Sequence, residues 1–378
     1  MIKNIPYGKQ EIDQNDINAV IDVLKSDYLT TGPKVSEFEK VFAKYVDAKY
    51  AVAVSNGTAA LHLSALALGV NKKSKIITTP ITFAATANCI RYCGGEVFFS
   101  DINQENLLLD IDGVNNLLKN SKKGTFQGII PVDFAGYPID TELFRDLADK
   151  YGLWILEDAC HAPGGSYIDK KNKLNYCGNG NYSDVTIFSF HPVKHIACGE
   201  GGMITTNNLE IYNKILRLRT HGIYKNKSND DWLYDMSDLG YNYRLTDIQC
   251  ALGISQLNKA SYGLKKRREI ASRYDNAFKN TGIKYTLQKE GVNHAYHLYV
   301  IQVENRENLY NQLKLNNIYA QVHYIPVYKL KYYKSMFHKN FQLPNAETYY
   351  SKCLSLPIYP SLKTDDQKRI IDIVLNHN

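Results

Sequence analysis

Residues 51–68 read AVAVSNGTAALHLSALAL, and this stretch decides the expected fold class. It begins with an apolar run at 51–54, continues through a turn that contains Gly57, and has helical composition up to Leu68, where Gly69 ends it. A short apolar run followed by a turn and a helix is the repeating unit of a parallel sheet covered by helices. We therefore expect an α/β protein.

Six further apolar runs extend this pattern along the chain. They lie at 75–79, 96–99, 128–132, 154–156, 184–188 and 203–206. A second helical segment at 140–150 begins at a capping residue, Asp140, and is closed by Gly152. The runs are too apolar for strands with one exposed face, so both faces of the sheet should be covered. Apolar residues at helical spacing precede the sheet at 35–45 and, less cleanly, at 16–24.

The alternation of apolar runs and helical segments ends at about residue 245. A single long helical stretch is predicted over 246–280, and strand-like segments follow at 297–303 and 319–324. We therefore predict two domains. Residues 1–245 form an N-terminal arm and a large domain with a mostly parallel sheet, and residues 246–378 form a linking helix and a smaller α/β C-terminal domain.

A polar stretch at 225–238 lies just before this change. We predict that it is an exposed loop. Its Trp232 and Tyr234 are either anchors on the surface or part of an ordered lid.

Charge and cysteine content narrow the class of protein. The chain has 45 Lys and Arg against 38 Asp and Glu, a net charge of +7 without a long basic run, so nucleic acid is not an expected partner. The seven cysteines are odd in number and lack CxxC spacing, which predicts reduced thiols in the cytoplasm and no metal site. An N-terminus without an apolar signal core, and the lack of any run of about 18 apolar residues, predict no membrane association.

Polar residues follow three of the predicted strands, at the sheet edge where ligands of open α/β sheets bind. After the first run, Gly57 and Thr58 open a helix whose N-terminus can bind phosphate, and a plain strand-to-helix turn is the alternative. After the run at 154–156, Glu157 and Asp158 are acids that need a cation or hydrogen-bond donors if they are buried. A helix cap or a solvated loop is the alternative there.

The run at 184–188 is followed by Ser189 and, five residues later, by Lys194. Most lysines are solvated, but this one lies between a buried strand and a glycine-rich turn that begins at Glu200. A lysine that bonds to an aldehyde must lose its proton and its hydration, which this setting favours. A phosphate site, an acid for a ring nitrogen and a lysine for an aldehyde are together the groups that hold pyridoxal phosphate.

Four motifs carry a resemblance to a known family: GTAAL at 57–61, EDACHA at 157–162, SFHPVK at 189–194 and GYNYRLTDIQ at 240–249. With them the sequence resembles, almost end to end, the DegT/DnrJ/EryC1/StrS family of nucleotide-sugar aminotransferases. The resemblance implies the fold-type I, aspartate aminotransferase-like architecture, transaminase activity and pyridoxal 5′-phosphate (PLP) as cofactor. It also implies a homodimer with shared active sites.

The resemblance further implies roles for individual residues. Lys194 is expected to be the imine-forming lysine and general base, and Asp158 the partner of the pyridine nitrogen. The other implied cofactor contacts are Phe83 on one ring face, His161 near the ring hydroxyl, Gly57, Thr58 and Ser189 on the phosphate, and Asn242 on the phosphate of the other subunit's cofactor. The implied substrate contacts are Tyr7, Asp27, Tyr28, Leu29, Thr30, Gly57, Ser189, Asn242, Gln321, Val322, His323 and Tyr324. For Phe83, Tyr324 and Tyr328, packing in the core is the alternative.

A finer match within the family covers LTTG at 29–32, TFAATANC at 82–89, VDFAG at 132–136, FSFHPVK at 188–194 and QVHYIPVY at 321–328. It implies that L-glutamate aminates C4 of UDP-2-acetamido-2,6-dideoxy-β-L-arabino-hex-4-ulose, a step of pseudaminic acid biosynthesis. The sequence departs from this finer pattern at SNGTA (55–59) and at His195. Another UDP- or dTDP-linked 3-keto or 4-keto sugar, and a PLP-binding regulatory protein, are the alternatives. Dehydratases of the family have histidine in place of the imine lysine, so Lys194 argues against that activity.

Overall fold

The structure is a computed structural model, and it describes residues 4–225, 232–338 and 340–377. The helices are α1 (Gln14–Leu24), α2 (Pro33–Val46), α3 (Gly57–Ala67), α4 (Ala84–Tyr92), α5 (Ile111–Lys119), α6 (Thr141–Tyr151), α7 (Leu209–Arg219), α8 (Asp247–Asn258), α9 (Ala260–Phe278), α10 (Arg306–Leu315), α11 (Lys331–Lys334), α12 (Pro344–Lys352) and α13 (Thr364–His377). The strands are β1 (Tyr50–Val54), β2 (Lys75–Thr78), β3 (Glu96–Phe99), β4 (Gly128–Ile130), β5 (Trp154–Asp158), β6 (Ser166–Ile168), β7 (Leu174–Tyr176), β8 (Val185–Ser189), β9 (Gly202–Thr206), β10 (Ile223–Lys225), β11 (Tyr234–Met236), β12 (Lys284–Tyr285), β13 (Val292–Asn293), β14 (Tyr299–Gln302) and β15 (Cys353–Leu356).

A seven-stranded mixed sheet organises the N-terminal part of the chain. Its strand order is β1-β9-β8-β5-β4-β2-β3. The pairs from β8 to β3 are parallel, whereas β9 runs antiparallel to both β8 and β1. All seven apolar runs identified in the sequence are strands of this sheet, so the predicted mostly parallel sheet is confirmed.

Both faces of the sheet are buried, as predicted. Ile76 and Ile77 are neighbours in β2 and point to opposite faces, yet both are fully buried. Ile76 belongs to the hydrophobic cluster that contains Val54, and Ile77 to the one that contains Ile129 and Ile155. Strands that lose exposure on both sides must be apolar throughout, which is why the sequence shows continuous runs rather than alternation.

The two helices predicted between these strands are α3 and α6. The side chain of Asp140 accepts a hydrogen bond from the backbone N–H of Leu143 at 3.2 Å and so caps α6. Gly152 ends the same helix with φ +71°, a left-handed conformation that glycine adopts without steric cost. The capping residues inferred from the sequence therefore have the predicted positions.

Two predictions for the C-terminal part are wrong. The stretch 246–280 is not one helix, because the chain leaves helical geometry at Lys259 (φ −107°, ψ 7°), where α8 ends and α9 begins. The Nζ of Lys259 lies 2.6 Å from the buried carboxylate of Asp16 in α1, a contact that accompanies the bend. The segment 319–324 is not a strand, since Gln321 forms one isolated bridge with Ser355 and Pro326 follows soon after.

Two three-stranded sheets and one two-stranded sheet complete the architecture of the described residues. One three-stranded sheet has the strand order β12-β14-β15, and β14 confirms the strand predicted at 297–303; the other joins β13, β6 and β7. β10 and β11 pair antiparallel, and β11 lies within 225–238 while β10 ends at Lys225. The predicted exposure is confirmed, since both strands are exposed and Trp232 is 76% exposed, but the prediction of a loop is wrong at β11. Residues 226–231 of that prediction lie outside the described residues. The division of the chain into domains at residue 245 stays a proposal.

Candidate active site

A cavity of about 870 Å³ opens at the carboxyl ends of β5 and β8. Ten of the residues singled out in the sequence line it: Tyr7, Gly57, Thr58, Phe83, Asp158, His161, Ser189, Lys194, His323 and Tyr324. The predicted residues that do not line it are Asp27, Tyr28, Leu29, Thr30, Asn242, Gln321 and Val322. The structure thus brings together side chains from the N-terminal segment, the large sheet and the segment around residue 323.

One wall of the cavity is the N-terminus of α3. Asn56 caps this helix by accepting a hydrogen bond from the N–H of Ala59 at 2.8 Å, and Gly57 and Thr58 form its first turn. A Cβ atom on Gly57 would lie 3.0 Å from the Cβ of Ser189, so glycine allows α3 to approach the end of β8 closely. Because a helix N-terminus carries unpaired N–H groups and a partial positive charge, this wall suits a phosphate dianion.

Asp158 lies at the floor of the cavity, at the end of β5. Its Oδ2 accepts a hydrogen bond from Thr86 Oγ1 at 2.7 Å, and its Oδ1 accepts one from the N–H of Cys160 at 3.2 Å. The residue is 4% exposed, and within the described ranges its carboxylate forms no ion pair. A buried carboxylate held by neutral donors and facing a cavity suits a cationic N–H of a ligand.

Glu157 points away from the cavity because successive side chains of a strand alternate. It accepts hydrogen bonds from Ser183 Oγ at 3.0 Å and from Thr186 Oγ1 at 2.7 Å. Glu157 forms a buried cluster with Asp133 and Cys177, in which the carboxylate oxygens and the thiol sulfur lie within 4.8 Å of one another. In the described part of the chain this is the one cluster whose spacing could hold a metal ion. Burial, followed by the charge of Glu157, raises the pKa of Asp133 well above its usual range, so a proton on Asp133 relieves the repulsion. The sequence-based expectation of no metal stays a prediction.

Lys194 lies in the loop after β8 with its amine in the cavity. Its Nζ is 3.4 Å from Nε2 of His297, and no carboxylate among the described residues pairs with it. Burial lowers the pKa of this amine, an effect that the neighbouring Cys160 and Asp158 oppose. An amine with a lowered pKa is neutral, and therefore nucleophilic, at a less alkaline pH.

Neutral histidines surround this lysine. His161 lies 3.4 Å from the hydroxyl of Tyr324 through its Nε2, and its ring centroid is 4.3 Å from that of His297. Burial, followed by the charge of Lys194, lowers the pKa of both rings well below the usual range. The sequence analysis did not identify His297, because in HLYV it reads as the start of a strand and gives no signal that separates it from packing.

The structure shows which of the three aromatic residues Phe83, Tyr324 and Tyr328 line the cavity and which packs in the core. Phe83 is 63% exposed at the cavity wall, so it is not a core residue. Tyr324 also lines the cavity, with its ring 6.3 Å from that of Phe83. Tyr328 packs against Phe99 in the core and donates a hydrogen bond to Glu347, which makes it a packing residue.

The predicted residues outside the cavity lie elsewhere on the chain. Residues 27–30 are exposed between α1 and α2, and the carbonyl of Leu29 accepts a hydrogen bond from the N–H of Asp247. Asn242 is exposed and bridges Thr220. The backbone of Gln321 pairs with Ser355, and Val322 packs at the edge of two core clusters. Cavity residues to which the sequence analysis gave no role include His62, Glu200 and Tyr243, although Tyr243 lies in the motif at 240–249 and Glu200 begins the glycine-rich turn.

The mixed seven-stranded sheet with both faces buried and the cavity at its strand ends have the architecture of the fold-type I PLP-dependent transferases, the class to which similar solved structures belong. The family model for DegT/DnrJ/EryC1/StrS aminotransferases matches residues 10–375. The chain therefore belongs to the DegT/DnrJ/EryC1/StrS aminotransferase family, and it is an enzyme of the sugar aminotransferase class.

Three relatives illustrate the similarity. A UDP-4-amino-4,6-dideoxy-N-acetyl-beta-L-altrosamine transaminase of Campylobacter jejuni is 39% identical, over 98% of this chain and 97% of that protein. The structure of Helicobacter pylori PseC, an aminotransferase of pseudoaminic acid biosynthesis, superimposes with a TM-score of 0.90 at 31% identity and covers 99% of both chains. The putative sugar aminotransferase Spr1654 of Streptococcus pneumoniae in its PMP form also gives a TM-score of 0.90, at 28% identity, over 99% of this chain and 98% of that one. Aminotransferases of this family depend on PLP.

Proposed function

We propose that this protein uses PLP to transfer the amino group of L-glutamate to C4 of UDP-2-acetamido-2,6-dideoxy-β-L-arabino-hex-4-ulose. The product is UDP-4-amino-4,6-dideoxy-N-acetyl-β-L-altrosamine, an intermediate of pseudaminic acid biosynthesis. One observation carries the transaminase part of the proposal: Lys194, Asp158 and the N-terminus of α3 open into the same cavity. The choice of sugar is supported by the 39% identity to the transaminase of C. jejuni.

The groups around the cavity fit PLP. We assign the phosphate to the first turn of α3, with Gly57 and Thr58, and to the hydroxyl of Ser189. We assign the ring nitrogen to Asp158, whose negative charge keeps that nitrogen protonated. When bound, PLP supplies an aldehyde that takes up the amino group and a cationic ring that accepts electrons from the reacting carbon.

In this proposal Lys194 has two tasks. With PLP bound, the neutral amine of Lys194 would hold the cofactor at its aldehyde carbon, and its Nζ would be the base that takes the proton from the α-carbon of glutamate. The lowered pKa of the amine supports both tasks, since each requires a free lone pair. His161 and Phe83 are assigned to the ring hydroxyl and to one ring face.

We assign the sugar to the part of the cavity lined by Tyr7, His323 and Tyr324. The rings of Tyr7 and His323 are 5.4 Å apart, and burial raises the pKa of the Tyr7 hydroxyl, which is therefore a neutral donor at physiological pH. Hydroxyl, imidazole and ring groups suit the polar rim and the apolar face of a sugar. Gln321 and Val322 precede this group in sequence and remain assigned to the substrate.

A homodimer is part of the proposal. Residues 27–30 and Asn242 are exposed on a single chain, although the family resemblance assigns them to ligand binding. Both assignments hold if a second copy of the chain brings these residues to the cavity of the first. None of the seven cysteines forms a disulfide, which supports the proposed cytoplasmic location. No helix in the described part of the chain is long and apolar enough to cross a membrane.

The substrate is tested by comparing kcat/KM for three keto-sugars with the same concentration of glutamate. The L-arabino 4-keto sugar should be preferred over its D-xylo epimer and over a dTDP-linked 3-keto sugar. A site built to hydrogen-bond a substituent can discriminate by about 10⁴-fold, so the difference is measurable. Preference for either competitor would reject the proposed sugar and leave the transaminase assignment standing, whereas release of no 2-oxoglutarate with any sugar would favour the regulatory alternative.

A further inference from the structure

The amine of Lys194, a partly buried lysine, has an unusual partner. Its Nζ lies 3.4 Å from Nε2 of His297, a residue 103 positions away that precedes β14. This is the sole side-chain hydrogen-bond partner of the amine within the described ranges. The charged groups that act on Lys194 are Asp158 at the end of β5 and Arg267 in α9, and the thiol of Cys160 lies nearby. The amine therefore rests against an uncharged acceptor rather than against a carboxylate.

The ring of His297 is held in place on several sides. It is 4% exposed, its centroid lies 4.3 Å from that of His161 and 5.8 Å from that of His195, and its carbonyl accepts a hydrogen bond from Nη1 of Arg267 at 3.3 Å. Burial, followed by the charge of Lys194, lowers its pKa well below the usual range. Its Nδ1 has no partner among the residues that the structure describes. With no bond at Nδ1, the contact with Lys194 determines which ring nitrogen carries the proton.

We propose that His297 is a positioning residue for Lys194, and that its neutral Nε2 accepts a hydrogen bond from the lysine amine and fixes the location of Nζ. The proposal rests on the proposed function, in which Lys194 is the reacting amine. A carboxylate in the same place would hold the lysine as an ammonium ion, because an adjacent negative charge favours the charged form. A neutral acceptor binds the amine in both protonation states, so it positions the nitrogen without preventing the loss of its proton.

The proposal predicts a change in the proton affinity of Lys194. The ammonium form gains more from an acceptor than the neutral amine does, because a hydrogen bond to a charged donor is the stronger one. Removing the acceptor therefore destabilises the ammonium form and lowers the pKa of Lys194. We expect a shift of about one pH unit, a tenfold change in the protonation equilibrium.

The test is the pH profile with which Lys194 reacts with acetic anhydride, followed by peptide mass spectrometry on the full-length protein after cofactor removal. In His297→Leu the midpoint should fall by about one pH unit. In His297→Gln, whose amide oxygen reaches the position of Nε2, it should stay near that of the unchanged protein. His195→Gln is the matched control, because His195 is a neighbouring, partly buried histidine whose Nε2 donates to the carbonyl of Ala295 at 2.8 Å instead of contacting Lys194.

An unchanged or raised midpoint in His297→Leu overturns the proposal, as does a shift in His297→Gln equal to that of the leucine variant. Circular dichroism checks folding, and if the leucine variant does not fold, His297→Asn replaces it, since the shorter amide does not reach Lys194. This readout contains no cofactor and no sugar. It therefore separates failure of this inference from failure of the proposed function, which is tested by turnover with keto-sugars.

Discussion

Replacing Asp158 by Asn tests the electronic role proposed for this carboxylate. The carbonyl oxygen of an amide can accept the hydrogen bond from the N–H of Cys160, and its NH2 group can donate to the hydroxyl of Thr86, so the variant should fold. What the variant loses is a negative charge next to the proposed position of the ring nitrogen. Two unit charges about 3 Å apart interact by about 5 kcal/mol at an effective dielectric constant of about 20.

An amide still offers its dipole to the ring, so we expect that part of this energy, about 3 kcal/mol, is lost from the transition state. That loss corresponds to a fall in kcat of about 10²-fold. The assay is the release of 2-oxoglutarate from glutamate in a single half-reaction, with cofactor content measured by absorbance. Glu157→Gln is the matched control: it removes a neighbouring charge on the same strand, but the side chain points away from the cavity and should leave turnover within a few-fold.

Near-normal turnover of Asp158→Asn with full cofactor content would refute this reasoning. If Glu157→Gln were instead the variant that loses turnover, the acid that acts on the ring would be Glu157. Loss of turnover in both variants with loss of cofactor would indicate a structural role for the pair. In that case a far-ultraviolet spectrum and the cofactor content, rather than kcat, would report the defect.

Three further predictions concern assembly and stability. If active sites are shared, mixing inactive Lys194→Ala and inactive Asn242→Ala chains should restore part of the activity after subunit exchange. No recovery despite proven exchange would mean that Asn242 acts in the site of its own chain or in no site. Asp133→Asn should raise Tm by a few degrees at pH 8 and flatten the pH dependence of Tm. Folding raises the pKa of this acid, so the acid stabilises the fold below its unfolded pKa and loses that contribution as pH rises through its folded pKa. An unchanged profile of Tm against pH would contradict this prediction. Lys259→Met should lower the free energy of unfolding, measured with urea, by about 3 kcal/mol, because it leaves the buried carboxylate of Asp16 without its cation. A loss below about 0.5 kcal/mol would show that the ion pair contributes little.

The large sheet was predictable from the sequence because burial on both faces requires continuous apolar runs. The hairpin of β6 and β7 was not, since each strand has three residues and exposed positions such as Ile168 and Leu174. Short strands with an exposed side give neither a continuous run nor a long alternation. The break between α8 and α9 was missed for another reason: both segments have helical composition, and the contact at the break involves Asp16, more than 200 residues earlier.

The candidate site was predictable where its residues directly follow strands. Lys194 and Asp158 stand out because a polar group at the end of an apolar run is costly to bury without a purpose. His297 gave no such signal, because its contact with Lys194 depends on the packing of β14 and α9 around the large sheet. The distance between two side chains more than a hundred residues apart depends on the tertiary fold, and local patterns in a single sequence do not predict it.

The alternation of Glu157 and Asp158 along β5 has a consequence for how this gene can change. A shift of β5 by one residue would turn Glu157 to the face of the strand that carries the cavity and Asp158 to the opposite face, although the composition of the strand would be almost the same. Only residues 152–153 separate α6 from β5, so an insertion or deletion of one residue there would shift β5 rather than lengthen or shorten a flexible loop. We expect that the length of this connection is constrained by activity more tightly than the identity of Leu153 is, and that indels in it abolish transamination in chains that still fold.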